Sequence, residues 1–257
     1  MNMKKILSTL ILSLLLSISI ANSWAADLPE IIRRGKLIVA VKNNTRPLGF
    51  SDDTQQLQGL EIDIARRLAQ QLLGNPEAII LKPVNNQERL QTVIDGKVDL
   101  VIARVTINPS RAQLVNFSPA YYLDGTGLVT KNPNIQGLTA LSTAKIAILK
   151  SSSTIAVIRS ELPKAELIGV NSYQEALTLL EAGVVEAFAG DNSILAGWVQ
   201  ENSEYHQLPV RLSGEGLGVV MPKGAKYASL RGKVNEAIVR WQRSGWLAQR
   251  AKYWGLP

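Results

Sequence analysis

Gly96-Lys97-Val98-Asp99-Leu100-Val101-Ile102-Ala103-Arg104 and Gly183-Val184-Val185-Glu186-Ala187-Phe188-Ala189-Gly190-Asp191 are two uses of one design. Each follows an amphipathic helical pattern, runs through a short apolar strand, and delivers a charge eight residues after its glycine. The delivered charges, Arg104 and Asp191, have opposite sign. In an open α/β sheet, ligands sit beyond the carboxyl ends of the strands. Two such sheets facing each other offer a cation from one side and an anion from the other. That arrangement suits a zwitterion and predicts a two-lobed amino-acid binder.

The surrounding pattern supports two sheets. Lys36 to Val41 reads as a buried strand, Leu60 to Leu73 as a helix stopped by Gly74, and Ile79 to Leu81 as a second strand. A short helix over Arg89 to Ile94 and a strand over Leu100 to Ala103 follow. Strand and helix alternate, which argues for a mainly parallel sheet with right-handed crossovers. The pattern then restarts at Lys145 to Leu149. Thr154 to Arg159 reads as a helix and Glu166 to Ile168 as a strand; Ser172 to Leu180 carries a capping box from Ser172 to Glu175. A strand over Glu186 to Ala189 and a helix over Asn192 to Gln200 complete this unit. Leu217 to Met221 is another strand, and Lys226 to Trp241 and Gly245 to Trp254 are helices.

The expected architecture is α/β, with lobe 1 built from residues 26–121 and 219–257 and lobe 2 inserted at 122–218. The chain would cross near 121–125 and again near 215–219. Both crossings contain glycine, as hinges often do. One continuous sheet is the alternative.

The ends and the composition narrow the function. Met1 to Lys5 is basic, Ile6 to Ile20 is apolar, and Ser23-Trp24-Ala25-Ala26 is a small-residue exit. This is the pattern of a secretory signal peptide, residues 1–25, cleaved after Ala25 or Ala26. An uncleaved anchor is the alternative, but the run is short for a spanning helix of ~20 residues. The chain has no cysteine, so neither a disulfide nor a lipid-modified cysteine is available. A free protein outside the cytoplasmic membrane follows, with the periplasm as its natural compartment.

Removing Lys4 and Lys5 from 28 basic residues, against 21 acidic, leaves a net charge of about +5. These charges are scattered and aromatics are few, which argues against a nucleic-acid partner. The single histidine, His206, lies in a polar stretch and reads as a loop residue. One histidine and no cysteine leave little room for a metal cluster or a Ser-His or Cys-His nucleophile. No metal, no cofactor and no catalytic residue are expected.

The chain resembles the periplasmic solute-binding proteins of polar amino-acid ABC transporters, the family 3 group, from about Leu28 to Leu256. The resemblance rests on Pro47-Leu48-Gly49-Phe50, Gly59 to Asp63, Arg104 to Arg111, Asn116-Phe117-Ser118, Tyr121-Tyr122 and Asp191, in that order and spacing. Gly35 to Asn44 looks closest to the aspartate/glutamate binders of the group. The resemblance implies a type II clamshell whose ligand-closed form is recognised by a membrane permease.

It also implies roles. Arg111, in the setting Thr-x-x-Pro-x-Arg, matches the arginine that grips the ligand α-carboxylate through two parallel hydrogen bonds. Alone, it would read as a surface salt bridge. Thr106 matches the residue that helps hold this carboxylate, and Asp191 the acid that pairs with the α-ammonium. Ser152 and Ser153 match a segment whose amides open a helix and attract a carboxylate, or merely cap it. Ser151 stands where the family has glycine.

Two departures bear on specificity. Threonine at 45 replaces a common aromatic, and Arg104 replaces a small residue. With Lys42 and Arg89, Arg104 would surround the ligand side chain with positive charge, repel lysine or arginine, and favour glutamate or aspartate. Each has an alternative: Lys42 as a solvated loop lysine, Arg89 as scaffold, Arg104 as the partner of an internal acid. A general polar or glutamine-type binder is the alternative specificity. An enzyme on the same fold, such as a cyclohexadienyl or arogenate dehydratase, is the rival class. The expected protein is a monomer.

Overall fold

A computed structural model describes residues 26–150 and 152–257. The expected leader and Ser151 lie outside the described residues. The chain forms α1 (Leu28–Arg34), β1 (Leu37–Val41), β2 (Asn44–Thr45), β3 (Gly49–Ser51), β4 (Leu57–Gln58), α2 (Leu60–Leu73), β5 (Ile79–Pro83), α3 (Arg89–Ile94) and β6 (Leu100–Ile102). Then come α4 (Pro109–Ala112), β7 (Asn116–Asp124), β8 (Thr126–Thr130), β9 (Lys145–Leu149), α5 (Thr154–Glu161), β10 (Glu166–Val170) and α6 (Tyr173–Glu181). The last are β11 (Ala187–Asp191), α7 (Asn192–Glu201), β12 (His206–Gln207), β13 (Glu215–Met221), α8 (Ala228–Arg243) and α9 (Trp246–Tyr253).

Two five-stranded sheets result, ordered β5-β1-β6-β13-β7 and β10-β9-β11-β8-β12. In the first, β1 pairs in parallel with β5 and β6; in the second, β9 pairs in parallel with β10 and β11. The remaining pairings are antiparallel: β13 with β6 and β7, and β8 with β11 and β12. The strands of the two glycine-led stretches, 96–104 and 183–191, are β6 and β11, each third in its sheet. Their glycines, Gly96 and Gly183, hold φ of 71° and 66°, a conformation that glycine adopts without steric cost.

Strand periodicity explains why both faces of each sheet are covered. Leu37, Val39 and Val41 enter one core while Ile38 and Ala40 enter another on the opposite face. Ile146, Ile148, Ala187 and Ala189 line one face of the second sheet, and Ala147 and Phe188 the other. Such strands read as near-continuous apolar runs because neither face meets water.

Several local details differ from the sequence reading. β7 carries the first sheet through to Asp124, because Leu123 and Asp124 pair with Gly216 and Glu215 of β13. Ser172 caps α6 by accepting the Glu175 amide at 3.1 Å, but the Glu175 carboxylate accepts the Asn171 amide, at 2.7 Å, in place of the Ser172 amide that a capping box would use. His206 is a strand residue paired with Thr130, and its ring meets the Ile135 carbonyl at 2.9 Å. Among the described residues, no helix is long and apolar enough to cross a membrane.

Candidate functional site

The carboxyl ends of β6 and β11 face each other across the two lobes. Arg104 follows β6 with φ of 50°, unusual for a residue with a side chain. Its amide donates to Glu61 Oε1 at 2.6 Å, and Tyr121 Oη donates to the same oxygen at 2.5 Å. Its carbonyl accepts from Arg89 Nη1, which also donates to the Ala103 carbonyl at 2.7 Å. Glu61 and Arg89 thus grip both ends of one backbone unit and fix the direction of the Arg104 side chain.

That side chain crosses to the second lobe, where Arg104 Nη2 pairs with Asp191 Oδ2. The pair is partly buried, with side-chain exposures of 23% and 30%. Burial opposes the charge on Arg104, but Asp191, aided by Tyr173, Asp124 and Glu61, raises its pKa on balance. Burial pushes the Asp191 carboxyl up against the pull of Arg104, and Asp124 pushes it the same way.

Beside this bridge lies a polar cavity of about 560 Å³. The first lobe lines it with Arg89, Arg104, Thr106 and Arg111, the second with Ser152, Ser153 and Asp191. Seven of the eight expected site residues therefore meet around one space. Arg111 is placed by a short helix with local cause: Asn108 caps α4 by accepting the Arg111 amide at 2.9 Å, and Pro109 opens the helix. Arg111 Nη1 reaches back to the Thr106 carbonyl at 3.0 Å, which leaves its other guanidinium donors for a carboxylate. Ser153 stands at the N-cap of α5, and Ser152 before it accepts the Thr154 amide on Oγ at 3.2 Å.

Lys42 does not line the cavity. Its side chain is 5% exposed and Nζ donates to the Val84 carbonyl at 3.1 Å, so it is neither a cleft cation nor a solvated loop lysine. Burial, with Arg89 and Arg104 nearby, lowers its pKa. Arg89 does line the cavity, but one of its nitrogens serves the backbone at 103–104. Burial, with Arg111 and Arg104 adding to it, brings its pKa down to about 10, so it keeps its charge at neutral pH. Arg104 takes up an acid of the facing lobe.

Sequence reading passed over Glu215. It opens β13 and lines the cavity, with Asn86, Asn108 and Gly214 beside it. Its position follows from pairing: the Ile107 amide donates to the Gly216 carbonyl at 2.8 Å and the Gly218 amide to the Val105 carbonyl at 3.1 Å. These bonds set the 105–107 segment against β13. Burial, then Asp191 and Asp124, pushes the Glu215 pKa up.

The comparisons with known proteins agree with this architecture. The model for bacterial extracellular solute-binding proteins, family 3, matches residues 37–257. The ABC transporter glutamine-binding protein of Bacillus subtilis (strain 168) is 28% identical over 98% of this chain and 97% of its own length. A glutamine-binding protein of Geobacillus stearothermophilus is 33% identical over 77% of each chain. Among solved structures, an ancestral cationic amino acid solute binding protein matches 89% of this chain and 99% of its own, with a TM-score of 0.73 and 25% identity. The fold is the type II periplasmic-binding-protein clamshell. With its matching strands, cleft and full-length similarity, the chain belongs to the bacterial extracellular solute-binding proteins of family 3.

Proposed function

We propose that this protein captures an L-amino acid with an acidic side chain between its lobes and presents the closed form to an ABC-transporter permease, acting as a monomer outside the cytoplasmic membrane. Arg111 and Thr106 receive the α-carboxylate, with the Ser153 amide and the Ser152 hydroxyl before α5 beside them, since the Ser152 amide already donates to the Leu149 carbonyl at 3.2 Å. Asp191 receives the α-ammonium on Oδ1, since Arg104 occupies Oδ2. The remaining donors of Arg104 and Arg89 face the ligand side chain.

The observation that carries the acidic preference is the charge of the lining. Three guanidinium groups, Arg89, Arg104 and Arg111, meet two carboxylates, Asp191 and Glu215. The excess is one positive charge. A glutamate or aspartate ligand, net −1, cancels it; a zwitterion leaves it; arginine or lysine doubles it. In a partly desolvated cleft such imbalances cost more than in water.

A glutamine-type ligand is the second reading, supported by the two relatives named for glutamine. Calorimetry of purified protein with glutamate, aspartate, glutamine and arginine separates them. Glutamate or aspartate should bind at least about tenfold more tightly than glutamine, and arginine weakest. Tightest binding of glutamine selects the second reading, and tight arginine binding overturns both. Incubation with prephenate or arogenate, with no product formed, is expected for a binder; turnover would establish the rival enzyme.

A further inference from the structure

We infer that Glu215 is a second counter-charge for the ligand ammonium, sharing it with Asp191. The inference rests on the amino-acid-binding reading and adds a residue that specifies the ammonium end of the ligand.

Among the five charged side chains that line the cavity, four have partners. Arg89 holds backbone carbonyls, Arg111 holds the Thr106 carbonyl, and Arg104 and Asp191 hold each other. Glu215 makes no side-chain hydrogen bond or ion pair among the described residues, although it is half-buried. A carboxylate withdrawn from water without a partner is costly unless a cation arrives. Its neighbours sharpen that demand. Glu215 stands directly opposite Asp124 in the β7–β13 pairing, and like charges so placed repel. Asp124 is itself satisfied, accepting the Gly125 and Ser193 amides and the Ser193 hydroxyl, so it cannot take over the role.

The cation that these carboxylates suit has a definable chemistry. Asp191 has one oxygen engaged by Arg104 and one left. An ammonium group carries three donors and can serve two carboxylates at once. On the same cavity, Arg111 and Thr106 offer donors to a carboxylate. A molecule that carries an ammonium and a carboxylate on adjacent positions satisfies both ends. A bare cation would leave Arg111 without its anion.

The position on β13 adds a second consequence. Glu215 lies where the chain returns from the second lobe to the first sheet, whereas Asp191 belongs wholly to the second lobe. An ammonium shared between them ties the moving lobe to the hinge.

The test combines a side-chain change with removal of the ligand group. Calorimetry is run on wild type and Glu215→Gln, with glutamate or glutamine, whichever wild type prefers, and with glutarate, which is glutamate without its ammonium. Glu215→Gln should weaken the amino acid by about tenfold to a hundredfold, the range of a hydrogen bond to a charged group. Glutarate binding should not weaken. Asp191→Asn and the double variant should be non-additive, because both carboxylates hold one group. Glu215→Asp, which keeps the charge, should retain more affinity than Glu215→Gln and covers the case in which the amide variant folds poorly. Unchanged amino-acid affinity in Glu215→Gln overturns the inference, as does full additivity with Asp191→Asn. Wild type that binds no amino acid at millimolar concentration overturns instead the reading on which the inference rests.

Discussion

Arg104 and Asp191 join the two lobes: a guanidinium delivered by the third strand of one sheet pairs with a carboxylate delivered by the third strand of the other. The residue that begins as the cation of a zwitterion trap thus also supplies an internal substitute for the ligand ammonium. Such a bridge biases the lobes toward closure before any ligand enters. Arg104→Ala removes it. The cost lies between that of an exposed pair, about 1 kcal/mol or less, and that of a broken buried pair, ~3–5 kcal/mol. Small-angle scattering of the ligand-free variant should show a larger radius of gyration than ligand-free wild type. Equal radii would mean that other contacts set the closed geometry.

The same variant tests specificity. Loss of one guanidinium from the lining removes its excess positive charge. Glutamate and aspartate affinity should fall more than the affinity for a neutral amino acid. Equal losses would leave Arg104 a lobe bridge with no part in reading the side chain.

Arg111→Ala should behave differently, because its remaining donors are offered to a group common to every amino acid. Truncating one partner of a buried charge pair costs roughly 2–5 kcal/mol. All ligands should therefore weaken by at least about thirtyfold. Calorimetry on the folded variant reads this directly, and near-normal affinity would remove the α-carboxylate from Arg111.

Closure also has an apolar seam. Helix α7 of the second lobe packs Ala196 into the core cluster of the first sheet, and a Cβ added at Gly197 would lie 2.2 Å from the Arg46 carbonyl oxygen. Gly197→Ala should leave the lobes at least as stable, since alanine in a helix interior is better than glycine by ~0.5–1 kcal/mol. It should nevertheless hold the lobes apart. Ligand affinity should drop by about tenfold or more, and the radius of gyration at saturating ligand should exceed that of liganded wild type. A variant that closes normally would show that the seam yields.

What was legible in the sequence were the elements whose pattern is local. Leu60–Leu73, Arg89–Ile94 and Lys145–Leu149 stand where their periodicity and stop residues place them. β7 was not legible: Asn116 to Ala120 mixes polar residues with Pro119, and its partner β13 lies about a hundred residues away. Lys42 shows the limit for a site. Sequence places it at the end of β1, but only packing turns its ammonium toward Val84 and away from the cleft. Arg104 and Asp191 were legible as opposite charges on equivalent strands; that they touch depends on how far the lobes close. Glu215 had no signal, because neither its spacing nor its surroundings in sequence mark it as facing a cavity.

Glu61 provides a test that needs no ligand. It is fully buried, accepts from the Arg104 amide and the Tyr121 hydroxyl, and leaves Oε2 without a hydrogen-bond partner among the described residues. Burial pushes its pKa above the ordinary value of 4.5, against the pull of both hydrogen bonds. Between 4.5 and that raised value the folded protein holds a proton that the unfolded chain has released. Stability contributed by Glu61 therefore declines as pH rises through this window, and below it the group contributes no slope. Glu61→Gln keeps an acceptor for both donors but carries no charge, so this decline should vanish. Urea unfolding of wild type and variant at about pH 4.5, 6 and 8 measures it. The variant should gain on wild type as pH rises. A stability difference that stays constant across the series would show that Glu61 holds its ordinary pKa despite its burial.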